Sequence, residues 1–261
     1  MFSDLAVDFC SKKSSSSGVL VSERQWGRIT ERKVEVLSKQ AEKEFGKPVG
    51  KYVSLEIPHG FLPQIPLILR LKELLFEFIV NPLPKGANVL VVGFGNGNLS
   101  CDALGSLVMD GLIVCPNSRV RVSTLKPGVE GVTGLQAARV LKAVVREIKP
   151  NAVVCVDALV GAEFSRIGSV FQVTDTGLTP GSGTGNRAFA VTRESLGIPV
   201  YAIGVPLAVP HEIAGEAARK YLVCPREIDL LVRRVSRVIS DAVILAFHPE
   251  LSLSDLRTCL N

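Results

Sequence analysis

No stretch of this 261-residue chain approaches the roughly 18 unbroken apolar residues that span a bilayer, so no transmembrane helix and no membrane partner are expected. Runs of about five or more like charges are missing too. Lys and Arg exceed Asp and Glu only by 30 to 25, spread along the chain, which gives a solvated basic surface and no direct nucleic-acid footprint. The six cysteines, at positions 10, 101, 115, 155, 224 and 259, form no CxxC pair, which excludes a zinc knuckle, and their scatter gives no disulfide framework. Several sit in apolar runs, where a reduced thiol packs as a small hydrophobe. Three histidines leave a dinuclear metal centre short of ligands. The N-terminus, MFSDLAVDFCSKKSSSSGV, carries acid early and has no apolar core before a small-residue cleavage site, so the expectation is a cytoplasmic protein.

What is present is apolar residue, at 47 % of the chain, too much for a disordered protein. Residues 1–18 read as an N-terminal arm, SDLAVDF, followed by a polar loop from Ser11, and residues 19–261 as a single α/β domain. Apolar and charged residues alternate over 29–36 and 51–57, as in half-buried strands. Residues 38–45 predict a short helix closed by Gly46, and 65–80 an apolar helix stopped by Asn81-Pro82. Short apolar strands at 88–92, 119–123, 152–156, 169–173 and 199–204 then alternate with helices at 103–113 and 135–148. In the second of these helices Leu135, Ala138, Leu141, Val144, Val145 and Ile148 share a face, and Thr133 with Gln136 matches a capping box. A long helix, 225–247, follows. Apolar strands alternating with helices predict a mainly parallel or mixed central sheet with helices on both faces.

Ligands of such sheets gather beyond the carboxyl ends of the strands. Two strands end on the same letters: VVGFGNGNLSCDALG (91–105) places Asp102 there, and AVVCVDALV (152–160) places Asp157. Each Asp has a plain reading as the N-cap of a helix. The alternative is a pair of neighbouring carboxyls, which cannot both ionise easily, so that one keeps a proton and the two act as acid and base on a water. One divalent ion between the two carboxylates is compatible with the residue types at the rim, which otherwise imply no cofactor or metal. The loop DTGLTPGSGTGN (175–186) resembles a phosphate cradle but lacks the Lys-Ser/Thr ending of a P-loop, and GFGNGN does not have the spacing G-x-G-x-x-G. Both read as tight glycine turns that let a substrate backbone come close. The N–H groups of Gly95, Asn96 and Gly97, or of Gly181, Gly183 and Gly185, are the candidates for an oxyanion, and Asp175 is a third acid at the rim. Cys101 with His59, His211 or His248 could form a nucleophile, but no local signature supports it, and a buried, inert thiol is the expectation.

The longer motifs are specific. VVGFGNGNLSCDALG, STLKPGVEGVTG (123–134), VCVDALV (154–160), FQVTDTGLTPGSGTGN (171–186), LGIPVYAIGVP (196–206) and PREIDLLVRRVSRVISDAVILAFHPEL (225–251) resemble, in this order, those of the spore germination proteases, as do GKPVGKYVSLEI (46–57) and the SDLAVD arm. The resemblance implies a cytoplasmic endopeptidase of endospore-forming bacteria that degrades small acid-soluble, DNA-coating spore proteins. It also implies a self-processing homo-oligomer, a tetramer, with a core similar to the hydrogenase-maturation endopeptidases. The motifs that carry the family's catalytic carboxylates supply Asp102 and Asp157 here. Only Met1 and Phe2 precede the arm, and the segment between Ile57 and Asn88 is compressed, so the expectation is a shortened or divergent member. Two alternatives come with it, a metal-assisted maturation-type endopeptidase and a non-catalytic binding module that holds a peptide or nucleotide.

Overall fold

The computed structural model describes residues 3–13, 18–60, 64–114, 119–181, 189–212 and 220–259. In chain order they form α1 (Val7–Lys13), β1 (Val19–Trp26), β2 (Ile29–Val36), α2 (Lys39–Phe45), β3 (Gly50–Glu56), α3 (Gln64–Leu75), β4 (Ala87–Gly93), α4 (Leu104–Asp110), β5 (Val120–Leu125), α5 (Glu130–Thr133), α6 (Ala137–Ile148), β6 (Ala152–Val160), β7 (Val170–Thr174), α7 (Arg193–Leu196), β8 (Val200–Glu212), β9 (Lys220–Val223), α8 (Ile228–Phe247) and α9 (Leu253–Cys259).

Local chemistry sets most of these bounds. Ser38 Oγ accepts the Ala41 N–H at 3.1 Å to start α2, and Gly46, at φ 84°, ends it in the left-handed region. The apolar helix expected over 65–80 is α3 continued by a π turn, in which the Asn81 N–H donates to Phe76 O at 2.7 Å. Pro82 has no N–H with which to continue. Other expectations need correction. The polar loop expected from Ser11 begins later, because α1 runs through Lys13. The capping box at α6 does not form: Thr133 Oγ1 donates to Val129 O at 3.1 Å, and Gln136, the N-cap, makes no side-chain cap bond. Of the apolar face assigned to α6, Leu141 and Val145 are buried, while Leu135 is 59 % and Ile148 41 % exposed, because they lie beyond the ends of the covered stretch.

Among the described residues nine strands form one sheet in the order β1-β2-β3-β7-β8-β6-β4-β5, with β9 folded back on β8. The half made of β5, β4, β6 and β8 is parallel. The other half is antiparallel, so the sheet is mixed. One reason is the two-residue turn Gly27-Arg28, with Gly27 at φ 59°, which joins β1 to β2 and permits only an antiparallel pair.

Alternation along β6 divides the core. Ala152, Val154 and Val156 face the cluster built with α3, α4 and α8, while Val153 and Cys155 face the cluster under α6. Helices therefore cover both faces. Asp157, next in the alternation, belongs to the α6 face. On that face, further along the sheet, Leu5, Ala6 and Val7 of the N-terminal arm pack with Val34, Phe45, Tyr52 and Val170. No helix among the described residues is long and apolar enough to cross a membrane.

Candidate active site

After β4 the chain turns back on itself. The Phe94 N–H continues the ladder to Val156 O at 2.8 Å. Gly95 then takes φ 100°, and a Cβ there would lie 2.0 Å from the carbonyl oxygen of Asp102, so no other residue fits. Asn96 Oδ1 accepts the Asn98 N–H at 3.0 Å, and the Asp102 N–H reaches Leu99 O at 2.8 Å. A single 3-10 turn, Ser100–Asp102, leads into α4. Gly105 lets this helix start against the strands: its Cβ would sit 2.3 Å from Phe94 O and 2.5 Å from Val156 O. That close approach carries Asp102 to the end of β6, where Asp157 lies opposite Gly204 of β8.

Neither acid caps a helix. The N-cap of α4 is Ala103, without a side-chain bond, and Asp157 lies within β6. Asp102 Oδ2 accepts the Asn96 N–H at 2.7 Å. Burial raises the half-buried Asp102 carboxyl above the usual range, and that N–H opposes the shift by stabilising the anion. Asp157 is 7 % exposed, with Oδ1 accepting the Ala158 N–H at 2.9 Å. Burial, then the charge on Asp102, then that on Asp4 push the Asp157 carboxyl well above the carboxylate range, against the Ala158 N–H. Both carboxyls are raised, Asp157 further, so Asp157 is the one of the two that keeps its proton to higher pH.

Two cavities meet at the pair. One of about 370 Å³ extends toward Tyr52, Gln172 and Thr192, and one of about 590 Å³ toward Asn96, Gln136 and Phe189. Leu99, Asp102, Asp157 and Gly181 line both. The arm packs at the edge of the first cavity, which Asp4 helps to line. The Asp4 N–H donates to Val160 O and the Val160 N–H to Asp4 Oδ2, both at 2.8 Å. Gln172 accepts the Ala6 N–H at 2.8 Å and donates to Asp4 O at 3.3 Å, and Lys47 Nζ holds Ser3 O at 2.8 Å. Asp8 pairs with Arg166 at 2.9 Å. Sequence reading did not find Asp4, Lys47 or Gln172. The motifs SDLAVD, GKPVGKYVSLEI and FQVTDTGLTPGSGTGN contain all three, but Lys47 and Gln172 meet the arm only in the fold.

The remaining candidates divide. Gly95 and Asn96 line the larger cavity, but the Asn96 N–H is committed to Asp102 and is not free for an oxyanion. At Gly97 a Cβ would meet Ser106 Oγ at 2.9 Å. Asp175 Oδ1 accepts the Lys51 N–H at 2.7 Å, which ties the loop after β7 to β3. Gly183 and Gly185 lie outside the described residues. Cys101 is half-buried, not fully buried as expected, and lines the smaller cavity. No group of three or more His, Cys, Asp or Glu among the described residues is placed to hold a metal ion.

Comparison with known proteins agrees with the motifs. The family model for germination proteases, peptidase family A25, matches residues 4–217. A germination protease of Caldanaerobacter subterraneus is 32 % identical over 305 aligned positions, covering 96 % of this chain and 94 % of the relative. One from Clostridium tetani is 30 % identical, covering 94 % and 93 %. One from Bacillus velezensis is 36 % identical over a shorter span, 76 % of this chain and 58 % of the relative. With a family match over most of its length and relatives of this identity along nearly all of it, the chain belongs to the germination protease family.

Proposed function

We propose that this germination protease begins the degradation of small acid-soluble, DNA-coating spore proteins in the core of a germinating endospore, with Asp102 and Asp157 as its catalytic carboxyls. The observation that carries the reading is the position of the pair where two cavities meet. An endopeptidase must hold substrate chain on both sides of the scissile bond, and a cleft that continues past the acids in two directions provides for that.

The electrostatics divide the work. Asp102, held as the anion by the Asn96 N–H, takes a proton from a water whose oxygen attacks the scissile carbonyl carbon. Asp157, held protonated by burial and by the charge on Asp102, donates to the carbonyl oxygen as negative charge develops there. On collapse, Asp102 passes its proton to the leaving amine, and Asp157 recovers one from the hydroxyl that becomes the new carbonyl. The same reading takes the parallel half of the sheet as a core similar to the hydrogenase-maturation endopeptidases. It extends to a homotetramer, supported by the exposed edge strand β1 with Leu20 and Val21 facing solvent.

Mass spectrometry of a small acid-soluble spore protein incubated with the purified chain tests the activity. Discrete internal cuts are expected, with Asp102→Asn and Asp157→Asn each slower by about 100- to 10,000-fold, the usual contribution of a positioned acid or base. Undiminished cutting by both variants would remove the pair. Loss of cutting with a chelator would favour metal-assisted hydrolysis at the same rim.

A further inference from the structure

The turn that carries Asp102 holds the one Asn-Gly pair of the chain, Asn96-Gly97. The Asn96 side chain folds over its own main chain, with Oδ1 accepting the Asn98 N–H at 3.0 Å, an Asx turn. That closed ring keeps Cγ against the Gly97 nitrogen, and the bond to Oδ1 draws electron density away from Cγ. The Gly97 N–H has no acceptor among the described residues. Gly97 is exposed, and without a Cβ it leaves the approach to its nitrogen open. Asn88, Asn98 and Asn151 are followed by Val89, Leu99 and Ala152, whose side chains crowd the same path. Asn96 is also tied to the site: its N–H donates to Asp102 Oδ2 at 2.7 Å, and its carbonyl accepts the Leu99 N–H at 3.0 Å.

We propose that Asn96 is a self-modification site, which deamidates through a cyclic imide with Gly97 and so weakens the peptidase as the protein ages. The Gly97 nitrogen gives up its proton to hydroxide and attacks the Asn96 Cγ. A C–N bond forms, the bond from Cγ to Nδ2 breaks, and Nδ2 leaves with a proton from water as ammonia. Holding the two reacting atoms together in the Asx turn favours this step. A water then opens the imide. Addition at Cγ restores the main chain and leaves Asp at position 96. Addition at the main-chain carbonyl leaves the chain running through Cγ, as isoaspartate. Either route consumes one water and releases one ammonia, and nothing is oxidised or reduced.

Both products place a carboxylate on the residue whose N–H binds Asp102, and a like charge there works against the Asp102 anion. Isoaspartate also adds a methylene to the main chain inside the turn that the Leu99 N–H closes on residue 96, which moves Asp102. A displacement of about 1 Å at a reacting group costs on the order of 100-fold. This consequence for activity rests on the proposed role of Asp102, whereas the deamidation does not.

The test holds the purified chain at mildly alkaline pH beside a synthetic peptide, GFGNGNLS, and maps both by fragmentation mass spectrometry over time. Residue 96 is expected to become heavier by the difference between OH and NH2 on the timescale of the synthetic peptide, and to separate into Asp and isoaspartate forms, with Asn88, Asn98 and Asn151 still amides. In Gly97→Ala the new Cβ meets only the side chain of Ser106, whose Oγ at 2.9 Å can turn away, and Asn96 is expected to stay an amide throughout. Cutting of the spore protein falls in step with the converted fraction, at least about tenfold at completion, a modest loss for a misplaced catalytic group. Asn96→Asp, which fixes one product, moves the acid limb of kcat/KM to higher pH by about half a unit, the effect of a like charge roughly 6 Å away in water. An Asn96 still amidated after the synthetic peptide has converted would overturn the modification site. A fully converted chain that cuts as fast as a fresh one would overturn its effect on the peptidase. If even the fresh chain leaves the spore protein intact, the proposed activity fails while the mass map still decides the deamidation.

Discussion

A carboxyl buried as deeply as that of Asp157, beside a second acid, works against the fold that holds it. Its folded-state pKa lies above the unfolded one, so between the two values the folded chain keeps a proton that the unfolded chain has released. Stability therefore falls as pH rises through that window and does not recover above it. Asp157→Asn removes the ionisation and keeps an oxygen for the Ala158 N–H. The variant should melt higher near neutral pH, by about 2 to 4 °C for each kcal/mol recovered in a chain of this size. The gain should shrink as pH drops toward about 3.9, the ordinary Asp value, and vanish below it, where both states are protonated. Thermal melts of the two proteins along a pH series check this. An unchanged difference across the series would mean that the gain comes from packing and not from the proton. The same substitution is expected to slow turnover by about 100- to 10,000-fold, so stability and activity move in opposite directions at one residue.

At the scale of elements, the site depends on how closely α4 starts against β4 and β6. Gly105→Ala would put a methyl 2.3 Å from Phe94 O and 2.5 Å from Val156 O. These are backbone atoms that cannot rotate away, so helix and strands must part. The expected loss is about 1 to 3 kcal/mol, the usual cost of overpacking, with activity falling further because Asp102 travels with the helix start. Gly131→Ala is the contrast: it lies in α5 with nothing near its Cβ, and gains about 0.5 to 1 kcal/mol from the lower entropy of the unfolded chain. Urea midpoints of the pair measure both. Elements whose own period matches their burial were legible from sequence, α8 above all, with Val232, Val235, Ile239 and Val243 buried as its pattern predicts. Strand β1 was not legible: VLVSERQW is exposed at six of its eight positions, so burial leaves no alternation to read. The antiparallel half was equally hidden, because β7 looks like any apolar strand and its direction is fixed by β3 and β8 on either side. The carboxyl pair was legible because each acid follows an apolar strand with the same letters after it.

At the scale of the whole molecule, the first residues of the chain are coupled to the site at its centre. Leu5, fully buried, anchors the arm, and Leu5→Ala should lower stability by about 2 to 5 kcal/mol, as for other buried leucines. Asp4 acts electrostatically instead. Its charge is one of the causes that raise Asp157, and it is absent from those that act on Asp102. Asp4→Asn keeps an acceptor for the Val160 N–H while removing the charge, so Asp157 should give up its proton at lower pH. If Asp157 is the acid of the proposed mechanism, it sets the alkaline limb of the kcat/KM profile and Asp102 the acid limb. The substitution should then move the alkaline limb to lower pH and leave the acid limb where it was, with a nearly unchanged melting temperature. Measuring both limbs separates the causes: a shift of the two together would report a general change in the arm, whereas a fixed alkaline limb would take the acid's role away from Asp157.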